Sequence, residues 1–235
     1  MPLREGAARA IMVSADSCIP PAGFGQLDGP PARCHMRAMT SIRAVCVYCG
    51  ASAGTNPTFA AAARALGRIL ADSGIRLIYG GGSIGMMGAL ADSVLAHGGS
   101  VTGIIPEFLV NKEHMLAGAQ EIVVTRDMHE RKRVMFERAD AFVALPGGIG
   151  TLEELVEQLT WAQLGRHRKP ILLANIAGFW EPLRELVDHM NALGFLHAAS
   201  RHLIVDEVDE IVPALRNAAR AVAPATGDAD VLGRM

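Results

Sequence analysis

The chain has 235 residues, of which 50% are hydrophobic and 20% are charged, and its 22 basic and 24 acidic side chains give a formal net charge of -2. This length and composition predict one sizeable folded domain. The near balance of charge excludes the strongly basic surfaces that bind nucleic acids or anionic membranes. We therefore expect a small-molecule substrate, with no nucleic-acid partner and no membrane partner.

Hydropathy along the chain excludes two further classes. No apolar run approaches the roughly 20 residues that a membrane-spanning helix needs. The first 23 residues hold one short apolar patch, at residues 11–13, where a signal peptide has a longer one. The sequence therefore predicts a cytoplasmic protein.

The two ends of the chain differ in composition from its middle. Residues 1–40 contain Pro20, Pro21, Pro30 and Pro31 without hydrophobic periodicity, which predicts a loosely ordered N-terminal extension. The folded domain is predicted to span residues 41–222, and residues 223–235 are predicted to form a flexible C-terminal tail.

Between these ends, short apolar runs alternate with segments of helical periodicity. The predicted strands are RAVCVYCG, RLIYGGG, SVTGIIP, EIVVT, AFVALPGG, PILLANI and HLIVDE, and predicted helices follow most of them. Near-continuous apolar strands of this length are typical of a sheet that is buried on both faces. We predict a single-domain α/β fold with a doubly wound, Rossmann-like parallel sheet, whose ligands bind beyond the carboxyl ends of the strands.

Cys46 and Cys49 form a CxxC motif in the first predicted strand. Their spacing of three residues sends the two side chains to opposite faces of a strand. A zinc site would also need a second CxxC or an HxxxH motif, which the sequence lacks. We predict no metal site.

The first glycine-rich turn, GGGSIGMMG at residues 80–88, follows the strand RLIY and opens a helix. Free backbone N–H groups at such a turn suit a phosphate, with Gly82 and Ser83 as candidate binding positions. The glycine spacing also matches a dinucleotide-binding fingerprint with Glu107 as its acidic partner. Close packing of the helix against the strand would require the same glycines, so the sequence leaves three interpretations open.

The second turn, PGGIGTLEE at residues 146–154, also lies between a predicted strand and a predicted helix. Its glycines permit a close backbone approach, Thr151 can cap the helix, and the first N–H groups of the helix favour an anion. Thr151 and Glu154 also match a capping box, in which Glu154 only accepts a hydrogen bond from the backbone of the cap residue. A structural and a functional role for Glu154 are both open on spacing alone.

These motifs resemble, in order, those of the LOG (LONELY GUY) family, formerly labelled lysine decarboxylases, whose members are cytokinin riboside 5'-monophosphate phosphoribohydrolases. PGGIGTLEE resembles the family's PGGxGTxxE signature, and the segments YCGAS, YGGGSIGMMG, GIIPEFLVNKE, DMHERK and TWAQLG extend the resemblance over about residues 44–207. The resemblance implies hydrolysis of the bond between an adenine-type base and ribose 5-phosphate, without a cofactor, by a homodimer.

The resemblance also implies residue roles. Arg131 and Glu154 match the family's catalytic pair, and the segment from Gly148 to Thr151 would hold the phosphate. A carboxylate suits the positive charge that develops on the ribose, and a guanidinium suits the phosphate or the departing base. The implied substrate-contacting residues are Glu113, Arg131, Lys132, Gly148, Ile149, Gly150, Thr151, Glu154 and Thr160. Ile149 stands where plant members have an aromatic residue, which leaves the preferred base open.

Three other functions would make different demands on the sequence. A pyridoxal-phosphate decarboxylase needs a Schiff-base lysine, and Lys112, Lys132 and Lys169 lack a recognisable pyridoxal setting. A nucleotide-binding or pterin-binding protein, resembling the molybdenum cofactor carriers, would keep the glycine turns without needing the pair of Arg131 and Glu154. An NAD-binding oxidoreductase would depend on the first turn alone.

Overall fold

The structure, a computed structural model, describes residues 10–12, 41–110, 118–196 and 202–222. Its strands are β1 Ala10–Met12, β2 Ala44–Tyr48, β3 Arg76–Tyr79, β4 Val101–Pro106, β5 Glu121–Thr125, β6 Ala141–Ala144, β7 Ile171–Ala174 and β8 Leu203–Val205. They form one sheet in the order β1, β5, β4, β3, β2, β6, β7, β8, and every neighbouring pair is parallel. The predicted doubly wound, Rossmann-like α/β fold is confirmed.

The helices alternate with these strands along the chain. They are α1 Pro57–Asp72, α2 Gly85–Ala96, α3 Glu107–Val110, α4 Met128–Arg138, α5 Ile149–Gln163, α6 Glu181–Ala192 and α7 Ile211–Val222. Local chemistry sets where two of them begin: the Asn56 side chain accepts a hydrogen bond from the first turn of α1, and Asp127 does the same for α4. None of the described helices is long and apolar enough to span a membrane.

The core has two hydrophobic layers, one on each face of the sheet. Alternate residues of a strand enter opposite layers, so that Leu77 belongs to one layer and Ile78 to the other. Cys46 and Cys49 are likewise divided between the two layers, and both are buried free thiols. The prediction that they face opposite sides of the sheet is confirmed.

The N-terminal segment contributes one element to the sheet. Strand β1 lies in the predicted extension and pairs with β5 in parallel, with Ala10 opposite Ile122. In this position β1 covers an edge of β5 that would otherwise be unpaired. The rest of the predicted extension and the predicted tail lie outside the described residues.

The order of the strands identifies where a ligand would bind. The chain runs outward from β2 through β3, β4 and β5, and then returns to the other side of β2 as β6, β7 and β8. In open α/β sheets, ligands bind at the carboxyl ends of the strands where this reversal occurs. Both glycine-rich turns follow strands beside this point, since one follows β3 and the other follows β6.

Candidate active site

Three strand-end loops meet above the carboxyl ends of β2, β3 and β6. The Gly50 N–H donates to the Pro146 carbonyl at 3.1 Å, and the Met87 N–H donates to the Gly50 carbonyl at 3.3 Å. Gly50 follows β2, Pro146 follows β6, and Met87 lies in the first turn of α2. Backbone hydrogen bonds therefore hold the loops together as the floor of one site.

The second glycine turn leads directly into helix α5. Gly148 is the N-cap residue in an extended conformation, and no side chain caps the helix. Thr151 is buried, and a Cβ on Gly147 would lie only 2.1 Å from the Thr151 hydroxyl oxygen. Glycine at 147 is therefore required by the close approach of Thr151.

The observed start of α5 decides the role of the TLEE segment. A capping box needs Thr151 to be the N-cap residue, but the helix begins at Ile149 and Thr151 already lies in its first turn. The capping-box interpretation is therefore wrong. Glu154 has no structural role at the helix end and instead lies buried one turn further along α5.

The N-terminus of α5 is open to solvent. The Ile149 side chain is 82% exposed, and Cβ atoms built on Gly148 or Gly150 would meet no heavy atom within 4 Å. The first N–H groups of a helix have no partner within the helix and carry partial positive charge. This end of α5 can therefore accept an anion in the position that the sequence predicts for the phosphate.

Arg131 reaches Glu154 from helix α4. Its Nε donates to the carbonyl of Ile104 at 3.1 Å, and its Nη1 lies 3.7 Å from the sulfur of Met128. Its Nη2 lies 3.8 Å from a carboxylate oxygen of Glu154, and both side chains are buried. The structure therefore brings together the two residues that the sequence analysis assigned to the catalytic pair.

The surroundings of Glu154 shift its protonation equilibrium. The pKa of this carboxyl is raised from 4.5 to about 7, mainly by burial; Glu153 and Glu157 contribute to the rise, and Arg131 and Lys132 oppose it. Desolvation disfavours the charged form more than the nearby cations favour it. Glu154 can therefore exchange a proton near neutral pH, as a general base requires.

Lys132 lies beside this pair, but its ammonium already has two carboxylate partners. Its Nζ contacts Glu153 and lies 3.0 Å from Glu157, which both lie on α5. Burial lowers the pKa of Lys132, but its hydrogen bonds to Glu153 and Glu157 outweigh this effect and the pKa is raised. Lys132 remains a cation that links α4 to α5, and its contact with substrate stays a prediction.

Among the described residues, one predicted substrate contact, Thr160, is not assembled with the pair. Thr160 is exposed, and its hydroxyl donates to the Val156 carbonyl at 2.8 Å within α5. It lies six residues beyond Glu154, which corresponds to about 9 Å along the helix axis. Glu113 lies outside the described residues.

The first glycine turn is shaped largely by close packing. A Cβ on Gly85 would lie 2.1 Å from the Ala51 carbonyl oxygen, and one on Gly88 would lie 2.1 Å from that of Ser83. Backbone atoms cannot yield as a flexible side chain can, so packing alone accounts for these two glycines. Phosphate binding at Gly82 and Ser83 stays a prediction.

Two groups that shape the site, Glu157 and the Ile104 carbonyl, were not predicted from the sequence. Glu157 follows Glu153 by one helical turn, so helical spacing could have identified it as a second partner of Lys132. The Ile104 carbonyl that anchors Arg131 carries no signal in the sequence, because any residue supplies a carbonyl.

The described residues contain no group of three or more His, Cys, Asp or Glu side chains that could hold a metal ion.

Solved structures share this fold. The molybdenum cofactor carrier protein of Chlamydomonas reinhardtii superimposes with a TM-score of 0.60 at 20% identity, covering 77% of this chain and 100% of that one. The molybdenum cofactor binding protein of Rippkaea orientalis gives a TM-score of 0.57 at 20% identity, covering 75% and 97%. At this level of identity the similarity concerns the fold alone.

Sequence comparison is more specific. A probable cytokinin riboside 5'-monophosphate phosphoribohydrolase of Oryza sativa subsp. japonica is 48% identical over 161 residues, which cover 68% of this chain and 72% of the relative. The cytokinin riboside 5'-monophosphate phosphoribohydrolase of Rhodococcoides fascians is 40% identical over 191 residues, covering 80% and 96%. Residues 87–216 match the family model described as "Possible lysine decarboxylase". The chain therefore belongs to the LOG family, whose model still carries that older description.

Proposed function

We propose that the chain hydrolyses the N-glycosidic bond of adenine-type nucleoside 5'-monophosphates, including cytokinin nucleotides, to free base and ribose 5-phosphate. One observation carries this proposal: Arg131 and Glu154 meet as a buried pair one helical turn behind the open N-terminus of α5. The names of the relatives from rice and Rhodococcoides fascians, which describe this activity, support the same function.

In the proposed reaction, water adds to the anomeric carbon while the C–N bond breaks and its electron pair leaves with the base. Positive charge develops on the ribose in the transition state, and the Glu154 carboxylate stabilises that charge. The carboxylate also takes the proton that the water loses and later releases it, while the departing base nitrogen gains one proton, so that the base leaves neutral and Glu154 is again ionised. A pKa of about 7 suits Glu154 to this exchange.

Arg131 supplies the positive charge that the substrate and the leaving base require. The 3.8 Å between its Nη2 and the Glu154 carboxylate is longer than a direct hydrogen bond, so both groups keep bonding capacity for the substrate. The phosphate lies at the N-terminus of α5 in this proposal, where Gly148 and Gly150 allow a close approach. Lys132 adds positive charge beside the pair, and Glu113, Ile149 and Thr160 contact the substrate.

Base release from nucleotides tests the proposed function. The purified full chain is incubated with AMP, isopentenyladenosine monophosphate and adenosine, and free base is separated from nucleotide by chromatography. Both monophosphates should release base, and adenosine should react far more slowly, because binding of the remote phosphate organises the reacting centre. Equal rates with AMP and adenosine, or no base release from either monophosphate, would contradict the proposal.

The pH dependence should report the titration of Glu154. We expect kcat/KM to rise with pH through an apparent pKa near 7, because the carboxylate is the active form and burial raises its pKa to about 7. The charged groups around Glu154 are Arg131, Lys132, Glu153 and Glu157. Since Glu153 raises the pKa of Glu154, Glu153→Gln should move the profile to lower pH while keeping the rate at its plateau.

Comparing the two enzymes separates the titration of the protein from the titration of the substrate. A nucleotide phosphate itself titrates near pH 6, but it does so equally with both enzymes. The difference between the wild-type and Glu153→Gln profiles therefore comes from the protein. Identical profiles, or a shift to higher pH in Glu153→Gln, would contradict the titration of Glu154.

We also propose a cytoplasmic homodimer. Helix α6 has no buried residue, and exposed apolar side chains lie on α5, on α6 and at the end of α6, among them Val156, Leu186, Met190 and the C-cap residue Leu193. A second copy packed against these faces would remove their apolar surface from water, which stabilises the association. Two-fold symmetry, the commonest arrangement in oligomers, would allow the same faces of both copies to meet.

The non-enzymatic alternative is a carrier of a nucleotide or a pterin cofactor, as the fold shared with the molybdenum cofactor carriers allows. A carrier needs the glycine turns but not a buried carboxylate with a pKa near 7. The pair of Arg131 and Glu154 therefore favours the hydrolase. Tight binding of nucleotide without release of base would favour the carrier.

A further inference from the structure

Gly80, the first residue after β3, lies against the Arg131 guanidinium. A Cβ atom built on Gly80 would be 2.3 Å from Arg131 Nη2 and 3.5 Å from its Cζ. Real Cβ atoms do not approach other heavy atoms this closely, so any side chain at residue 80 would occupy the space that the guanidinium fills. Gly80 is not among the glycines with positive φ, so its backbone conformation does not require glycine.

The guanidinium has defined contacts on its other sides. The Ile104 carbonyl accepts from Nε, the Met128 sulfur lies beside Nη1, and the Glu154 carboxylate faces Nη2. Nη2 is therefore the atom that faces both Glu154 and Gly80. A methyl group at residue 80 would push against the same nitrogen that meets the catalytic carboxylate.

We propose that Gly80 is a positioning residue for the catalytic pair, because its missing side chain admits the Arg131 guanidinium to Glu154. This inference rests on the proposed function for the statement that the pair is catalytic. It gives Gly80 a role different from the phosphate or dinucleotide contact that its place in a glycine-rich turn suggests.

The atoms that a Gly80 side chain would meet also determine how a substitution would be accommodated. Besides Arg131, the Cβ would lie 3.1 Å from the sulfur of Met87. Both neighbours are distal atoms of flexible side chains, so they can move without moving the backbone. Gly80→Ala should therefore fold, with Arg131 displaced from Glu154.

The first measurement is catalytic. Gly80→Ala should lower kcat/KM for AMP by about 10-fold to 100-fold, because a displacement of about 1 Å in a reacting group has effects of this size. Arg131 lowers the pKa of Glu154, so its displacement should raise that pKa. The other charged neighbours, Lys132, Glu153 and Glu157, stay in place, and the pH profile of the remaining activity should therefore move to higher pH. Wild-type kcat/KM and an unshifted profile in Gly80→Ala would overturn the proposal.

The matched control is Gly67→Ala on α1. A Cβ there would lie 2.6 Å from the Leu90 carbonyl oxygen on α2, away from the pair. This variant should lower the melting temperature and leave the pH profile unshifted. If Gly67→Ala shifted the profile as much as Gly80→Ala does, the shift would report general destabilisation and the positioning role would fail.

A double-mutant cycle on thermal stability tests the same contact without any activity. Gly80→Ala should lower the melting temperature of the wild-type chain, because the buried Arg131 contacts are disturbed. In an Arg131→Ala background the guanidinium is absent, so Gly80→Ala should have little or no further effect. An equal loss in both backgrounds would overturn the proposal, and since the cycle needs no turnover, its result is independent of whether the proposed hydrolysis is correct.

Discussion

Replacing Glu154 with glutamine should lower turnover of AMP by about 100-fold or more while the nucleotide still binds. Glutamine keeps the size and hydrogen-bonding capacity of the side chain but has no negative charge and cannot take a proton from water. The lost interaction is made mainly with the charge that develops in the transition state, so kcat falls more than binding does. Steady-state kinetics with AMP, together with a direct binding measurement, gives both quantities.

Glu153→Gln is the neighbouring control. Adjacent helix residues point about 100° apart, and the Glu153 side chain is half exposed and contacts Lys132 while Glu154 is buried against Arg131. Glu153→Gln should retain turnover at the plateau of its pH profile. If Glu154→Gln keeps near-normal turnover, or if Glu153→Gln is the inactive variant, the role of Glu154 is wrong.

Thermal melting at two pH values separates loss of catalysis from loss of folding. The folded-state pKa of Glu154 is raised above its usual 4.5, so its favourable contribution to stability is present below about pH 4.5 and is lost as pH rises through about 7. Above pH 7 the wild-type chain holds an ionised carboxylate that burial disfavours. Glutamine cannot ionise, so Glu154→Gln should melt at the wild-type temperature or higher at pH 8.

Replacing Arg131 with alanine should lower kcat/KM for AMP by about 100-fold or more, since removal of one preorganised donor costs about 100-fold to 1,000-fold. The substitution also leaves Glu154 buried with Glu153 and Glu157 and with Lys132 as the remaining nearby cation, so the pKa of Glu154 should rise further. Steady-state kinetics over a pH range measures both effects. Turnover of Arg131→Ala close to that of the wild-type chain would remove Arg131 from the catalytic pair.

Arg131→Lys is the conservative control for this prediction. Lysine keeps the positive charge but lacks the planar group that donates to the Ile104 carbonyl and faces Glu154 at the same time. Compared with Arg131→Ala, Arg131→Lys should bring the pH profile close to its wild-type position but should recover kcat/KM less fully. Full recovery of the rate would mean that charge alone matters and that the guanidinium geometry does not.

The fold could be predicted because its signals are local. Each buried parallel strand is a short apolar run, and each helix has a visible period, as in the runs that became β6 and α5. The start of α5 was harder to predict because Gly148, which has no capping side chain, is its N-cap residue. Strand β1 was not predicted because three apolar residues in a proline-rich segment have the pattern of a loop. They form a strand by pairing with β5, which is distant in sequence.

The candidate site was only partly predictable, because its key contacts are distant in sequence. In the segment HERKRVMFER, the charge pattern is that of a solvated helix face, yet Arg131 is buried. Its burial depends on a carbonyl 27 residues away and on the empty space at Gly80. Such contacts exist only once the sheet brings β3, β4 and α4 together, so a family resemblance could identify Arg131 and local patterns could not.

Helix α5 carries both parts of the proposed site on one rigid element. Its open N-terminus, at Gly148 to Thr151, is the proposed phosphate site, and Glu154 follows Thr151 by three residues, or about 4.5 Å along the axis. In this proposal the helix fixes the distance between the phosphate and the bond that breaks. A nucleotide with its phosphate on the 2' or 3' oxygen could anchor at the same end, but its anomeric carbon would then miss the carboxylate. The proposed site would therefore discriminate between positional isomers through the length of one helical turn.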